Sequence, residues 1–328
     1  MDAQELRART AWGLIAKPAD PLAWHLQETV GPEQALAEVV GKRSLRRVAL
    51  LFEKRLNGPR PALETLAGYR RAYRPERLEL SLALQRERDT VAISAGHPWW
   101  PARVEDLGEY APSTLWVRGS MQHSSHTQGV ALVGNHVPTR AGRQAALALA
   151  DVALECGVTV ISGGSRGIAT DAHRRAVHRG GISLAVLAGG LDVLYPPENA
   201  SLFHRVCQRG ALISESPHTV EPSTQGFLGR NRIIAALAEG TVVVQAEYRS
   251  GAISVGYHAA ALGRHVGIVP ASWHDTHSAG CWRIYRECGA MVLTEPAELS
   301  LVIPGVPWRA PHSEARTSHD RIQSASPR

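Results

Sequence analysis

The sequence predicts an α/β protein with a doubly wound, mostly parallel sheet and a small helical unit ahead of it, and three observations carry that prediction. Six times between residues 129 and 295 a helix-like stretch ends at a glycine and an apolar, β-branched run follows, the punctuation of a helix C-terminus leading into a strand. The runs lack polar alternation, as strands buried on both faces do. They are separated by stretches of helical length, so successive strands are expected to be joined by right-handed crossovers. Together these give a Rossmann-like pattern.

In chain order, residues 1–60 read as short amphipathic helices, with Leu22, Trp24 and Leu26 near the first and Leu36, Val39 and Val40 on a stripe of the next. The segment VGPEQAL is similar to the turn of a helix-hairpin-helix module, which offers backbone N–H groups to a phosphate, with the nearby KRSLRR run to assist. A solvated helix face explains the same charge run. The sheet starts with GVALVG, and VTVIS, ISLAVL, ALIS, TVVVQA, HVGIV and AMVL follow Gly157, Gly180, Gly210, Gly240, Gly263 and Gly289. An N-terminal helical domain is thus expected over 1–85, an extended Rossmann-like domain over 86–303, and a flexible tail over 304–328, where PGVPWRAPH precedes a Ser-, Arg- and Pro-containing end.

Composition narrows the class. With 44% hydrophobic and 20% charged residues in 328, the chain is globular rather than disordered. No apolar run approaches a membrane span, and MDAQELRART lacks a signal-like apolar region. A cytoplasmic protein without membrane association is expected. The four cysteines have no CxxC spacing, which fits packed thiols in a reducing compartment. The net charge of +6 does not by itself indicate a nucleic-acid protein, because residues 129–308 hold fourteen basic and thirteen acidic side chains. The bias of basic residues toward arginine suits bidentate phosphate recognition, and a GC-rich genome produces it as well.

In an open parallel sheet, ligands bind beyond the carboxyl ends of the strands. The loops there are NHVPT, SGGSRG, AGGLDVLYPPEN, SESPHTVEPSTQGFLGRNR, QAEYRSG and PASWHDTHSAG. They and the helix starts after them hold Arg140, Arg143, Arg166, Arg230, Arg232 and Arg249 against chiefly Asp171, Glu215 and Glu247. A positive rim is expected, unless these arginines pair with Glu215, Glu247 and Asp192. Dinucleotide and P-loop signatures are absent, and ISGGS is no nucleophile elbow around Ser162. His274 and His277 have no third metal ligand at a regular spacing. Asp171 and His173 do not share a helix face, and His173 is expected to cap or orient a loop. Three phosphate cradles remain: Gly163, Gly164 and Gly167 with Arg166; Gly189 and Gly190; and Arg230, Asn231 and Arg232 at a helix opening.

In this order the motifs are specific. HPWWPARVEDL…APSTLWVRG, ALVGNHVPT, VISGGSRGIATDAH, LAVLAGGLDVLYPPEN, GALISESP, FLGRNRIIAALAEGTVVVQAEYRSGA and GRHVGIVP…SAG resemble the DprA (Smf) family of DNA-processing proteins, with actinobacterial-like residues upstream. The resemblance implies a non-enzymatic, homodimeric protein with no cofactor that binds single-stranded DNA, protects incoming strands and loads RecA onto them in natural transformation and recombination. Carried onto this chain, the expected nucleic-acid-binding set is His136, Arg140, Ser162, Gly163, Gly164, Arg166, Gly167, Gly189, Gly190, Arg230, Asn231, Arg232, Ser250 and Gly251. The chain departs from the family at His136, in place of an arginine, and at Ala169, in place of an aspartate. Arg166 or Arg140 is expected to compensate for the former.

The alternative is a nucleotide-binding Rossmann protein, either a sensor or an N-glycosidase of the phosphoribohydrolase type. The latter's PGGxGTxxE signature is absent, and AGGLDVLYPPEN supplies its glycines without the carboxylate that chemistry needs.

Overall fold

A computed structural model describes residues 1–122 and 128–305 of the chain; the expected tail lies, from residue 306 on, outside the described residues. Six helices come first: α1 (Ala3–Ile15), α2 (Pro21–Val30), α3 (Pro32–Val40), α4 (Leu45–Glu53), α5 (Leu63–Ala72) and α6 (Pro75–Glu87). Asp2 and Asp20 cap α1 and α2 by accepting from the next free backbone N–H groups, and prolines open α2, α3 and α6, the arrangement helix starts favour. Their apolar faces meet around Trp12, Leu26, Phe52, Leu66 and Tyr69.

The turn and the charge run of the helix-hairpin-helix expectation stand apart in this packing. The VGPEQAL turn at Gly31 is half-buried, and the Trp12 indole donates to the Pro32 carbonyl there at 3.0 Å. KRSLRR follows the other end of α3, nine residues and about 13 Å away.

The sheet contains β1 (Thr90–Ile93), β2 (Leu115–Gly119), β3 (Gly129–Gly134), β4 (Thr159–Ser162), β5 (Ser183–Leu187), β6 (Ala211–Ser214), β7 (Gly240–Gln245), β8 (His265–Ile268) and β9 (Met291–Val292), in the order β1-β2-β6-β5-β4-β3-β7-β8-β9. From β6 to β9 every pairing is parallel, while β1 and β2 run antiparallel along one edge. The seven runs expected from the glycine punctuation are the seven parallel strands. Between them lie α7 (Arg140–Glu155), α8 (Ile168–His178), α9 (Ala200–Val206), α10 (Thr224–Leu237), α11 (Ala252–Ala261) and α12 (Ala279–Cys288).

Both faces are covered. Val130, Leu132, Val160 and Val242 pack with Leu149, Ala153 and Ala172 of α7 and α8; Ala131, Val133 and Val243 pack with Ile233, Ile253 and Ile284 of α10 to α12. Ile253 and Val255 of α11 are 3% and 2% exposed and belong to this core. The chain moves outward from β3 through β4, β5 and β6, then returns to place β7 on the other side of β3. That reversal opens a crevice at the carboxyl ends of β3, β4 and β7, where such sheets bind ligands.

Candidate functional site

A cavity of about 370 Å³ occupies that crevice. Its walls come from the ends of β3 (Gly134, Asn135, His136) and β4 (Ser162, Gly163), from α10, and from the loop entering α11. Seven of the fourteen expected residues line it: His136, Ser162, Gly163, Arg230, Asn231, Ser250 and Gly251.

Arg230 dominates its chemistry. The side chain is 8% exposed, and one guanidinium nitrogen donates to the Gly163 and Val186 carbonyls, the latter at 2.9 Å. Among the described residues no carboxylate pairs with it, and its buried Nε has no acceptor. Burial lowers its pKa from 12.5 to about 10. It therefore stays charged at neutral pH, with that charge taken out of water and uncompensated, a costly arrangement that an anion relieves.

The neighbours follow from the helix period. Phe227, one turn before Arg230, holds its ring 5.1 Å from the guanidinium carbon, and Tyr195 meets Phe227 edge-on at 5.6 Å. With Leu228 and Val137, which are 53% and 80% exposed, Phe227 makes an apolar lip above the buried cation. Asn231 donates to the Gly251 carbonyl at 3.2 Å and ties α10 to the start of α11. Asn135 donates to the His277 carbonyl and accepts from the Glu247 amide, bracing the β7 loop. Glu247 is the only carboxylate lining the cavity among the described residues; its side chain is 63% exposed and faces His277. The Ser162 hydroxyl is spent on the Leu132 carbonyl at 2.7 Å inside the sheet.

His136 stands at the rim. Desolvation, then the positive charges of Arg230 and Arg166, lower its pKa below the usual 6.5, so the imidazole is neutral at pH 7. The compensation expected from Arg166 is spent elsewhere, because Arg166 is ion-paired with Glu198. Arg140 is exposed at the start of α7, with no ion pair among the described residues.

The remaining expected residues serve the scaffold. Gly163 is a glycine because a Cβ there would sit 2.6 Å from the Arg230 guanidinium carbon; the room read as space for an anion is filled by an arginine. Gly164, at φ 66°, faces the Phe203 ring, and Gly167, at φ 73°, lies against the backbone of Asn135 and His136. Gly189 and Gly190 are covered by the Val220–Pro222 and Pro217–His218 backbone, and the Gly190 amide is taken by the Val220 carbonyl. Arg230, Asn231 and Arg232 do not open a helix: Ser223 caps α10, and the three sit well inside it. Two residues on a helix differ by about 200°, so Arg232 points away from Arg230 and donates to Glu215 at 2.6 Å and the Tyr110 carbonyl at 2.7 Å. Arg143 pairs with Asp171 at 3.1 Å. The expected rim is thus partly neutralised. His173 orients no loop; it is fully buried and its Nδ1 meets the Ser183 hydroxyl at 2.7 Å.

Comparison with known proteins places the chain. A family model described as DNA recombination-mediator protein A matches residues 91–303. The chain is 40% identical over 199 residues to a Mycobacterium tuberculosis protein carrying the DprA name, an alignment covering 60% of this chain and 51% of that protein. It thus spans about half the length of that relative. Identity to the Bacillus subtilis DNA processing protein DprA is 31% over 226 residues, 68% of this chain and 74% of the relative. The solved structure of DNA processing protein A from Streptococcus pneumoniae superposes with a TM-score of 0.72 at 24% identity, over 92% of this chain and 98% of that one. The Helicobacter pylori protein, whose structure is described for its single-stranded DNA binding mode, superposes with a TM-score of 0.58 at 22% identity, over 64% and 93%.

Proposed function

The chain belongs to the DNA recombination-mediator protein A family, the DprA or Smf proteins, and on that premise we propose that it binds single-stranded DNA at the cavity beside Arg230. The observation that carries the reading is the buried guanidinium without a carboxylate partner. A phosphodiester supplies the missing negative charge, and the Phe227 lip supplies an apolar face for sugar or base, the combination single-strand binders use. The protein acts by binding rather than catalysis: it shields the strand and passes it, as a homodimer, to the RecA recombinase. The Helicobacter pylori relative's described binding mode supports the ligand class.

A second reading has its own observation. Glu247 places one carboxylate at the cavity, as nucleotide N-glycosidase chemistry needs, and a cavity of about 370 Å³ suits one nucleotide. Competition separates the two. Labelled oligo-dT bound to the protein is to be displaced by unlabelled oligo-dT and only weakly by mononucleotides; mononucleotides that displace it equally well, or release free base on incubation, overturn the strand-binding reading.

A further inference from the structure

KRSLRR found no role in the cavity, yet the structure gives it a definite shape. Lys42 and Arg43 lie between α3 and α4, Arg46 and Arg47 lie in the first turn of α4, and Arg71 ends the adjoining face of α5; all five are exposed. Two shallow depressions meet at Ser44. One, of about 460 Å³, is walled by Lys42, Arg43 and Arg47 with Glu38, and the other, of about 630 Å³, by Arg46 and Arg71 with Glu64.

Glu38 in the first is already taken by Arg43, at 2.6 and 2.8 Å. Lys42, Arg46, Arg47 and Arg71 have no ion pair among the described residues. The cluster is also held in place. Arg70 donates to the Val39 carbonyl at 2.7 Å and the Arg43 carbonyl at 3.0 Å, bracing the turn, and Val48 and Phe52 fix α4 in the helical core. Ser44 makes no side-chain cap, and the first turn of α4 holds no acid. Two arginines at a helix start oppose the usual preference for acids there, so the cations repel both the helix end and one another.

We propose that this face is a second nucleic-acid site, distinct from the cavity, that takes the phosphodiester backbone of a strand longer than the cavity can hold. A polyanion spanning both depressions meets four unpaired cations and an exposed helix start at once, and it gains by counterion release rather than by base reading. It needs no bound ligand at Arg230, so the two sites fail separately.

The test is Lys42→Gln, Arg46→Gln, Arg47→Gln and Arg71→Gln combined in the full chain, with labelled oligo-dT of about ten and about forty nucleotides, sizes chosen to fill one site or more, and forty-base-pair duplex. The substitutions are on the surface, so the melting temperature is expected to hold. Short-strand affinity stays within about twofold. Long-strand affinity at low salt falls about tenfold or more, and the salt slope drops by about 0.7 per lost phosphate contact. A parallel loss for duplex assigns the face to the phosphate backbone in either form, and a loss for strands alone assigns it to single strands; both support the site. Unchanged long-strand binding, an equal loss at both lengths, or poly-glutamate competing as well as the long strand would overturn it. Wild-type protein that ignores short strands but binds long ones through these residues refutes the cavity reading and leaves this one standing.

Discussion

Replacing Arg230 by methionine separates stability from binding, because opposing terms offset one another in the first and not in the second. In the unliganded protein the guanidinium is charged and buried, and the fall of its pKa from 12.5 to about 10 corresponds to about 3 kcal/mol against the charged folded form. The cost is present at every pH below 10 and is removed with the charge. The substitution also loses the hydrogen bonds to Gly163 and Val186, each charge-assisted and worth about 1.5–3 kcal/mol. Methionine fills most of the same volume, so the charge cost that is removed offsets much of the roughly 3–6 kcal/mol of lost hydrogen bonding, and stability is expected to fall by no more than about 3 kcal/mol. Binding has no such cancellation. A buried charge-assisted contact to phosphate contributes about 1.5–3 kcal/mol, hence a weakening of about 10- to 100-fold. The assay is fluorescence anisotropy with a short labelled oligo-dT, beside a urea melt of the same preparation. Undiminished affinity in a variant that folds normally refutes the assignment of Arg230 as the anion's partner, and affinity that falls only in step with lost stability refutes it equally.

Four other outcomes follow from three neighbouring residues. Gly163→Ala puts a Cβ where the Arg230 guanidinium now lies, so short-strand affinity should fall at least about tenfold, by roughly the contact energy above; equal affinity would mean the guanidinium can move aside freely. His136→Arg replaces a neutral side chain by a permanent cation, and circular dichroism should show an intact fold, with several-fold tighter binding and a salt slope steeper by about 0.7. In the wild type, the lowered pKa of His136 predicts that binding tightens only as pH falls below 6.5. His173 acts in the same acid range with the opposite effect: its pKa is lowered from 6.5 to about 4 by burial and by Arg230, so the unfolded chain binds the extra proton. Its stabilising contribution is complete above pH 6.5 and is lost as pH falls toward 4, a loss of about 2 kcal/mol by pH 5. His173→Gln should flatten that slope in melts across pH 4 to 7, and an unchanged slope would exclude His173 as its source.

The parallel sheet was legible because each of its strands is an apolar run behind a helix-ending glycine, and those runs are buried on both faces. β1 and β2 escaped that pattern: TVAI and LWVRG pair antiparallel at an edge, without a crossover helix to announce them. The start of α10 was misplaced because SESPHTVEPSTQG, rich in proline, serine and threonine, reads as loop up to the arginines, whereas Ser223 already caps a helix there. The glycine-rich turns marked where backbone comes close to something, but not to what. At Gly163 it is an arginine, at Gly164 a phenylalanine ring, and at Gly190 a neighbouring loop. Phe227 was overlooked although it stands three residues before Arg230, the spacing that puts both on one helix face. Which arginines are neutralised depends on contacts between distant segments, such as Arg166 with Glu198 and Arg232 with Glu215, and no local pattern reveals them.

Single-strand binding itself is tested most directly by anisotropy of the full chain with labelled oligo-dT of increasing length, against duplex DNA, at two salt concentrations. Affinity is expected to rise with strand length and to exceed that for duplex among the shortest ligands, with a salt slope corresponding to about three to five phosphates at about 0.7 each. Affinity that is the same for a mononucleotide and a long strand, or absent for every strand, would contradict the account and turn the cavity over to small nucleotides.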